Sequence, residues 1–336
     1  MAAIYLVHGT FVGADATGVL SALASVFPAA SDALRVVIKR LIDSIVGDRG
    51  DYTPRYAALF EDSMTRGDAE KIPVRLFQWS SENHHIGRAD GAVRLIDELA
   101  SLELVHGRRV LLWGHSHAGN VFALATNLLA SDESARAAFF DAARVYYRWP
   151  LLGWVDIPQW ERVRAYLDRG GEPLRDTPLD IVTFGTPIRY GWDTGGYAQL
   201  LHFVHHRPAR GLPAYRALFP PPLDDLLHAT GGDYVQQLGV AGTNLRPSIF
   251  AWRCRWAEQR LNDLLQAGLR AGTLAERFAA GLRVADEGTT LLVDYGQLGG
   301  SVADHHFGHA VYTSQDWLLF HAEEVARRFY GPYFQS

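Results

Sequence analysis

The segment Gly114-His115-Ser116-His117-Ala118-Gly119 sets one hydroxyl among small residues, directly after the apolar run Val110-Leu111-Leu112-Trp113. An apolar run, a sharp turn and a helix-compatible stretch over 121–129 read as strand, tight turn and helix. In such a turn strand and helix nearly touch, which Gly114, Ala118 and Gly119 permit, and the Ser116 side chain is pushed out at the strand end. The chemistry this suggests is nucleophilic attack by the serine.

A neutral serine hydroxyl is a weak nucleophile. It needs an imidazole to take its proton, a carboxylate to orient that imidazole, and two backbone N–H groups aimed at the oxygen that becomes negative. Behind the last apolar run the chain holds His305, His306 and His309. His309, in the tight sequence Phe307-Gly308-His309-Ala310, is the candidate base, with His305 and His306 as alternatives. The candidate acid is Asp233, because Gly231-Gly232 permits a turn that aims its side chain inward. Asp294, in Leu292-Val293-Asp294-Tyr295, is the alternative acid. The backbone N–H of His117 is one expected oxyanion donor. The other is Thr10 or its neighbour Phe11, beside Gly9 in the loop after the first apolar run.

Other chemistries have weaker signals. His8, His115 and His117 make a poor metal set, since side chains on the serine turn diverge. Asp304-His305-His306 is the better metal candidate, yet the sequence lacks the paired helical histidines with a glutamate that a zinc hydrolase uses. There is neither a three-glycine dinucleotide fingerprint nor a Gly-Lys-Ser/Thr phosphate loop. No metal and no organic cofactor are therefore expected.

The elements that must position these groups follow from periodicity. Strands are predicted at 3–7, 73–79, 110–113, 179–184, 200–205 and 289–295. Helices are predicted at 15–26, 32–45, 55–64, 88–104, 134–146, 158–168, 223–228, 250–269, 272–278 and 314–330. Runs such as Ala3-Ile4-Tyr5-Leu6-Val7 are apolar on both faces, as in a parallel sheet covered by helices. The expected fold is α/β, an open and mostly parallel sheet of about six strands flanked by helices. Residues 1–336 read as one domain, with possible cap elements within 12–72 and 131–179.

The chain of 336 residues carries a net charge of -5 with no basic block, so nucleic-acid binding gains no support. A single cysteine, Cys254, excludes an intrachain disulfide. No run is apolar enough to span a membrane, and the N-terminus shows no leader pattern, so a cytoplasmic location is expected. A secreted protein trimmed of its leader would look the same. Nine tryptophans include Trp149, Trp154, Trp160, Trp192, Trp252 and Trp256; most suit packing, and some suit an apolar substrate cleft.

Taken in order, Leu6-Val7-His8-Gly9-Thr10-Phe11, Gly114-His115-Ser116-His117-Ala118-Gly119, Val182-Thr183-Phe184-Gly185-Thr186-Pro187 and Gly308-His309 resemble the α/β-hydrolase superfamily, in its lipase and carboxylesterase branch. The likeness covers the skeleton of nearly the whole chain, with long insertions. Two departures are Ala118 where the commonest pattern has glycine, and the missing initial antiparallel strands. The resemblance implies a serine esterase acting on a small-molecule ester with an apolar part, without cofactor. It implies that Thr186 and its neighbours support the wall of the site. Alternatives are a thioesterase, amidase or lactonase, a non-catalytic binding or scaffold protein on the same fold, and a metal-dependent hydrolase. Oligomeric state is not encoded in any feature above.

Overall fold

The structure is a computed structural model. It describes residues 1–9, 52–64, 71–104, 107–150, 154–218, 221–239, 244, 247–248, 250–265 and 283–331. The predicted helices at 15–26, 32–45 and 272–278, and most of the possible cap at 12–72, lie outside these residues.

Six strands form one open, all-parallel sheet: β1 (Ala3–Val7), β2 (Val74–Phe77), β3 (Val110–His115), β4 (Leu179–Phe184), β5 (Gln199–His205) and β6 (Thr289–Val293). Their order is β2-β1-β3-β4-β5-β6. Each predicted strand is found within a few residues of its expected bounds. The four inner strands are almost wholly buried, whereas the edge strands β2 and β6 are partly exposed. This explains why only the inner ones read as unbroken apolar runs.

The period of two along each strand sorts side chains onto two faces. Tyr5, Val7, Val110, Leu112 and Ile181 pack on one side against α2 (His85–Ala100), α3 (Ala118–Ala130), α4 (Glu133–Tyr147) and α5 (Pro158–Asp168). Ile4, Leu6, Leu111, Trp113, Val182 and Phe184 pack on the other, against α1 (Pro54–Met64) and the last helix described below. Trp113 is fully buried, its ring 4.8 Å from Phe60 and 4.6 Å from Phe184. A side chain of this kind contributes at least ~2 kcal/mol by its burial. The described residues of 131–179 thus pack into the sheet face through Phe139, Phe140 and Trp160. Between β5 and β6 run α6 (Leu223–His228), α7 (Tyr234–Gly239) and α8 (Trp252–Leu265). After β6 come a short helix α9 (Val302–His305), three 3-10 turns, and α10 (Leu318–Phe329).

The closing helix starts later than the sequence suggests. Ser314 does cap, but its hydroxyl accepts from the Asp316 N–H at 3.3 Å to close a 3-10 turn, and α10 begins only at Leu318. No described helix is long and apolar enough to cross a membrane.

Candidate active site

The sheet order turns back between β1 and β3, the position at which open sheets of this kind take ligands beyond the carboxyl ends of their strands. Ser116 lies there. Its φ is +56°, a left-handed conformation that costs a non-glycine residue ~1–2 kcal/mol. The surroundings hold it: its N–H donates to the Phe184 carbonyl at 2.8 Å, and its own carbonyl accepts from the Thr186 hydroxyl at 2.6 Å. The small neighbours are required. A Cβ at Gly114 would lie 2.4 Å from Phe122, and one at Gly119 2.3 Å from the Thr186 hydroxyl. Gly9 brings the β1 loop equally close, since a Cβ there would lie 2.5 Å from the Ser116 Cβ.

Among the described residues, the His117 backbone N–H donates to no acceptor. That is the state required of an oxyanion donor. Thr10, the expected second donor, lies outside the described residues.

His309 reaches this end of the sheet from the loop after α9. Its carbonyl accepts from His115 Nε2 at 3.0 Å, and the two rings lie 4.5 Å apart. His115 therefore packs beneath the serine turn and ties it to the histidine loop. The His309 Nδ1 meets Asp233 Oδ2 at 2.7 Å, while Nε2 is buried without a hydrogen-bond partner among the described residues. Ser116 Oγ and His309 Nε2 are not hydrogen-bonded to each other. Serine–histidine hydrogen bonds of this kind are often long before substrate binds.

The Asp233 turn is built by glycines. Gly232 has φ +113°, and a Cβ on it would lie 2.3 Å from the His205 carbonyl. Asp233 N–H donates to that same carbonyl at 2.9 Å, which fixes the turn to the end of β5. The fully buried carboxylate accepts from His309, from the Tyr312 hydroxyl at 3.0 Å and from the Gln236 N–H at 2.8 Å. Burial alone would raise its pKa. The His309 charge and hydrogen bond, with help from Gln236 and Arg283, outweigh that and hold the carboxyl below its ordinary range. Gly185, with φ +57°, underlies the whole arrangement: a Cβ there would lie 2.5 Å from both Asp233 Oδ2 and the Tyr312 ring.

The other candidates fall elsewhere. β6 ends at Val293, so Asp294 is exposed beyond it and pairs with Arg207 at 2.9 Å. His305 is buried with its Nδ1 unpaired among the described residues, and His306 occupies a left-handed position ending α9. Asp304 closes a capping box by accepting from the Ser301 N–H at 2.8 Å. Among the described residues no group of three His, Cys, Asp or Glu side chains is placed to hold a metal ion. Burial pushes the Cys254 thiol up to about 12, which removes it as a rival nucleophile. Trp160 is core, whereas Trp149, Trp154, Trp252 and Trp256 form an exposed aromatic surface around α8.

Tyr312, Arg283 and Asn120 were not singled out by the sequence reading. Arg283 is fully buried and donates to the Asp233 carbonyl and to the side chains of Gln236 and Gln237, clamping the acid's turn. Tyr312 left a usable signal: three residues after His309, on a tight turn, it must face the same side. No family model, curated protein or solved structure matches this chain.

Proposed function

We propose that the protein is a serine hydrolase that cleaves carboxylic esters through an acyl-enzyme. The observation that carries this reading is the buried Asp233–His309 pair beside a serine held at positive φ on a strand-to-helix turn. The fold supports it too, being compatible with an α/β-hydrolase.

In this reading His309 Nε2 takes the proton of Ser116 as Oγ attacks the ester carbonyl. The ionised Asp233 holds the proton of His309 on Nδ1 and stabilises the imidazolium that forms. The His117 N–H, with Thr10 from the β1 loop, stabilises the oxyanion. His309 then protonates the leaving alcohol and the acyl–Oγ ester remains. Water, deprotonated by His309, attacks that ester; the acid leaves and Ser116 recovers its proton. The aromatic-rich composition supports an apolar part in the substrate, and the single cysteine supports a reducing, cytoplasmic setting.

Labelling by a fluorophosphonate, followed by peptide mapping, tests the nucleophile. Ser116 is expected to carry the label and Ser116→Ala to abolish both labelling and turnover of aryl esters. Full turnover in Ser116→Ala would overturn the reading. Absent labelling and absent turnover in the natural protein would point to a binding protein on the same fold.

A further inference from the structure

Among the described residues three donors reach the Asp233 carboxylate, and the ester mechanism above uses only one of them, His309. The Tyr312 hydroxyl shares Oδ2 with the His309 ring, at 3.0 Å against 2.7 Å. The direction of that bond is fixed. The same hydroxyl lies 2.7 Å from the His205 backbone N–H, which can only donate. The hydroxyl oxygen therefore accepts from His205, and its own proton goes to Oδ2. The other carboxylate oxygen takes the Gln236 N–H at 2.8 Å.

The chain builds this contact locally. The 3-10 turn Ala310–Thr313 follows His309 directly, and its period of three sets His309 and Tyr312 on one side. Their rings meet edge to face at 6.1 Å. Tyr312 has no exposed surface, and burial, then the Asp233 charge, hold its hydroxyl protonated far above the ordinary tyrosine range. It is thus a neutral donor at any pH where an imidazole acts as a base.

The other ionisable groups facing the pair do not touch that carboxylate. The His115 ring, from the end of β3, lies 4.5 Å from the His309 ring and bonds its carbonyl. The His117 ring, His205 at the end of β5 and the Tyr295 hydroxyl after β6 are buried, and burial favours the neutral form of each. On the loop of His309 itself, the His306 carbonyl accepts from the His309 N–H at 3.1 Å. Arg283 donates to the backbone carbonyl of Asp233.

A hydrogen bond to a carboxylate stabilises its charge and leaves it a weaker partner for an imidazolium. The positive end of the Tyr312 O–H dipole also points at the oxygen that faces His309. Both effects disfavour a second proton on the ring and favour the neutral imidazole that can take the proton of Ser116.

We propose that Tyr312 is a positioning residue that acts through Asp233 Oδ2 to limit the proton affinity of His309, keeping it a free base toward lower pH. The proposal rests on the reading of Ser116, His309 and Asp233 as the reacting groups.

The test is the pH dependence of kcat/KM for an aryl ester. Tyr312→Phe keeps the ring and removes the hydroxyl. Its acid limb is expected about half to one pH unit above that of the natural protein, the net worth of one hydrogen bond. The plateau should fall far less than in Asp233→Asn. A 3-fluorotyrosine in place of Tyr312, a stronger donor, is expected to move the limb the other way. Tyr295→Phe is the control: it removes a buried hydroxyl that bonds His321 at 2.7 Å, and is expected to destabilise the fold without moving the limb. A limb at the same pH in Tyr312→Phe and the natural protein overturns the proposal, as does an equal shift in Tyr295→Phe. If Tyr312→Phe fails to fold, an unmoved limb in the fluorotyrosine protein overturns it. The nitrogen-15 titration midpoint of the His309 ring reads the same shifts without turnover. Failure of the underlying reading looks different: no phosphonate label on Ser116 and no cleavage of any ester, whatever the midpoints.

Discussion

Asp233 and His309 meet at 2.7 Å although 76 residues separate them in the chain, and the aspartate has no exposed surface. The carboxylate therefore holds one imidazole tautomer. Asp233→Asn would reverse that tautomer and is expected to lower kcat toward an aryl ester by about 10⁴-fold. Asp294→Asn breaks only an exposed pair with Arg207 and should leave kcat within about twofold. Steady-state kinetics on both variants checks the assignment; the opposite ranking would exchange the two acids.

Gly185 controls the same pair from below. Gly185→Ala forces an L side chain into positive φ, at ~1–2 kcal/mol, and a methyl into contact with Asp233 and Tyr312, at a further ~1–3 kcal/mol. Melting temperature and turnover are both expected to fall. A variant that melts and turns over like the natural protein would show that this position is not crowded.

Tyr312 serves two partners. Its hydroxyl donates to Asp233 and accepts from the His205 N–H at 2.7 Å. Tyr312→Phe leaves that buried N–H unpaired, at ~1–3 kcal/mol of stability, and keeps the Asp233–His309 bond. Denaturant unfolding should register the loss, while kcat should fall far less than in Asp233→Asn. Unchanged stability would mean that water replaces the hydroxyl.

Several histidines are buried in neutral form. Burial lowers His321 to about 3, and His202 to about 4, the latter partly countered by the Glu287 carbonyl. The unfolded value is about 6.5, so between about pH 6.5 and these values the unfolded chain binds protons that the native state does not. Their contribution to stability is complete above pH 6.5 and declines as pH falls. Asp233 acts in the same sense at lower pH: its depressed pKa stabilises the fold above the ordinary carboxylate value, and that is lost as pH falls through the folded value. His321 lies among Phe184, Phe203 and Phe320, and its Nε2 shares a 2.7 Å hydrogen bond with the Tyr295 hydroxyl, so His321→Phe keeps an aromatic ring there but lowers stability at every pH by leaving that hydroxyl unpaired. It should flatten the dependence of the urea midpoint on pH between 6.5 and 4. An unchanged slope would remove His321 from the account.

Where a feature is local, it was legible in the sequence. The strand-to-helix turn at Ser116 showed itself through its small neighbours, the inner strands through their apolar runs, and the turn at Asp233 through Gly231-Gly232. What was not legible depends on contacts between distant segments. The 3-10 turns ahead of α10 carry Tyr312, whose hydroxyl bonds the His205 N–H and Asp233, contacts with distant segments. Arg283 reads as an ordinary surface arginine until the turn it clamps is folded against it. Asp294 looked suitable because β6 was expected to run to residue 295; ending at Val293, the strand leaves Asp294 to solvent and to Arg207.

The three groups proposed to act together follow β3, β5 and β6, so they leave the ribosome in the order Ser116, Asp233, His309. A nascent chain that has reached residue 300 carries the proposed nucleophile and the proposed acid but not the proposed base. Chains stopped there should resist fluorophosphonate, and labelling by such chains at the full rate would contradict the assignment of His309. If the proposed roles hold, Ser116 gains its base only when the last segment docks.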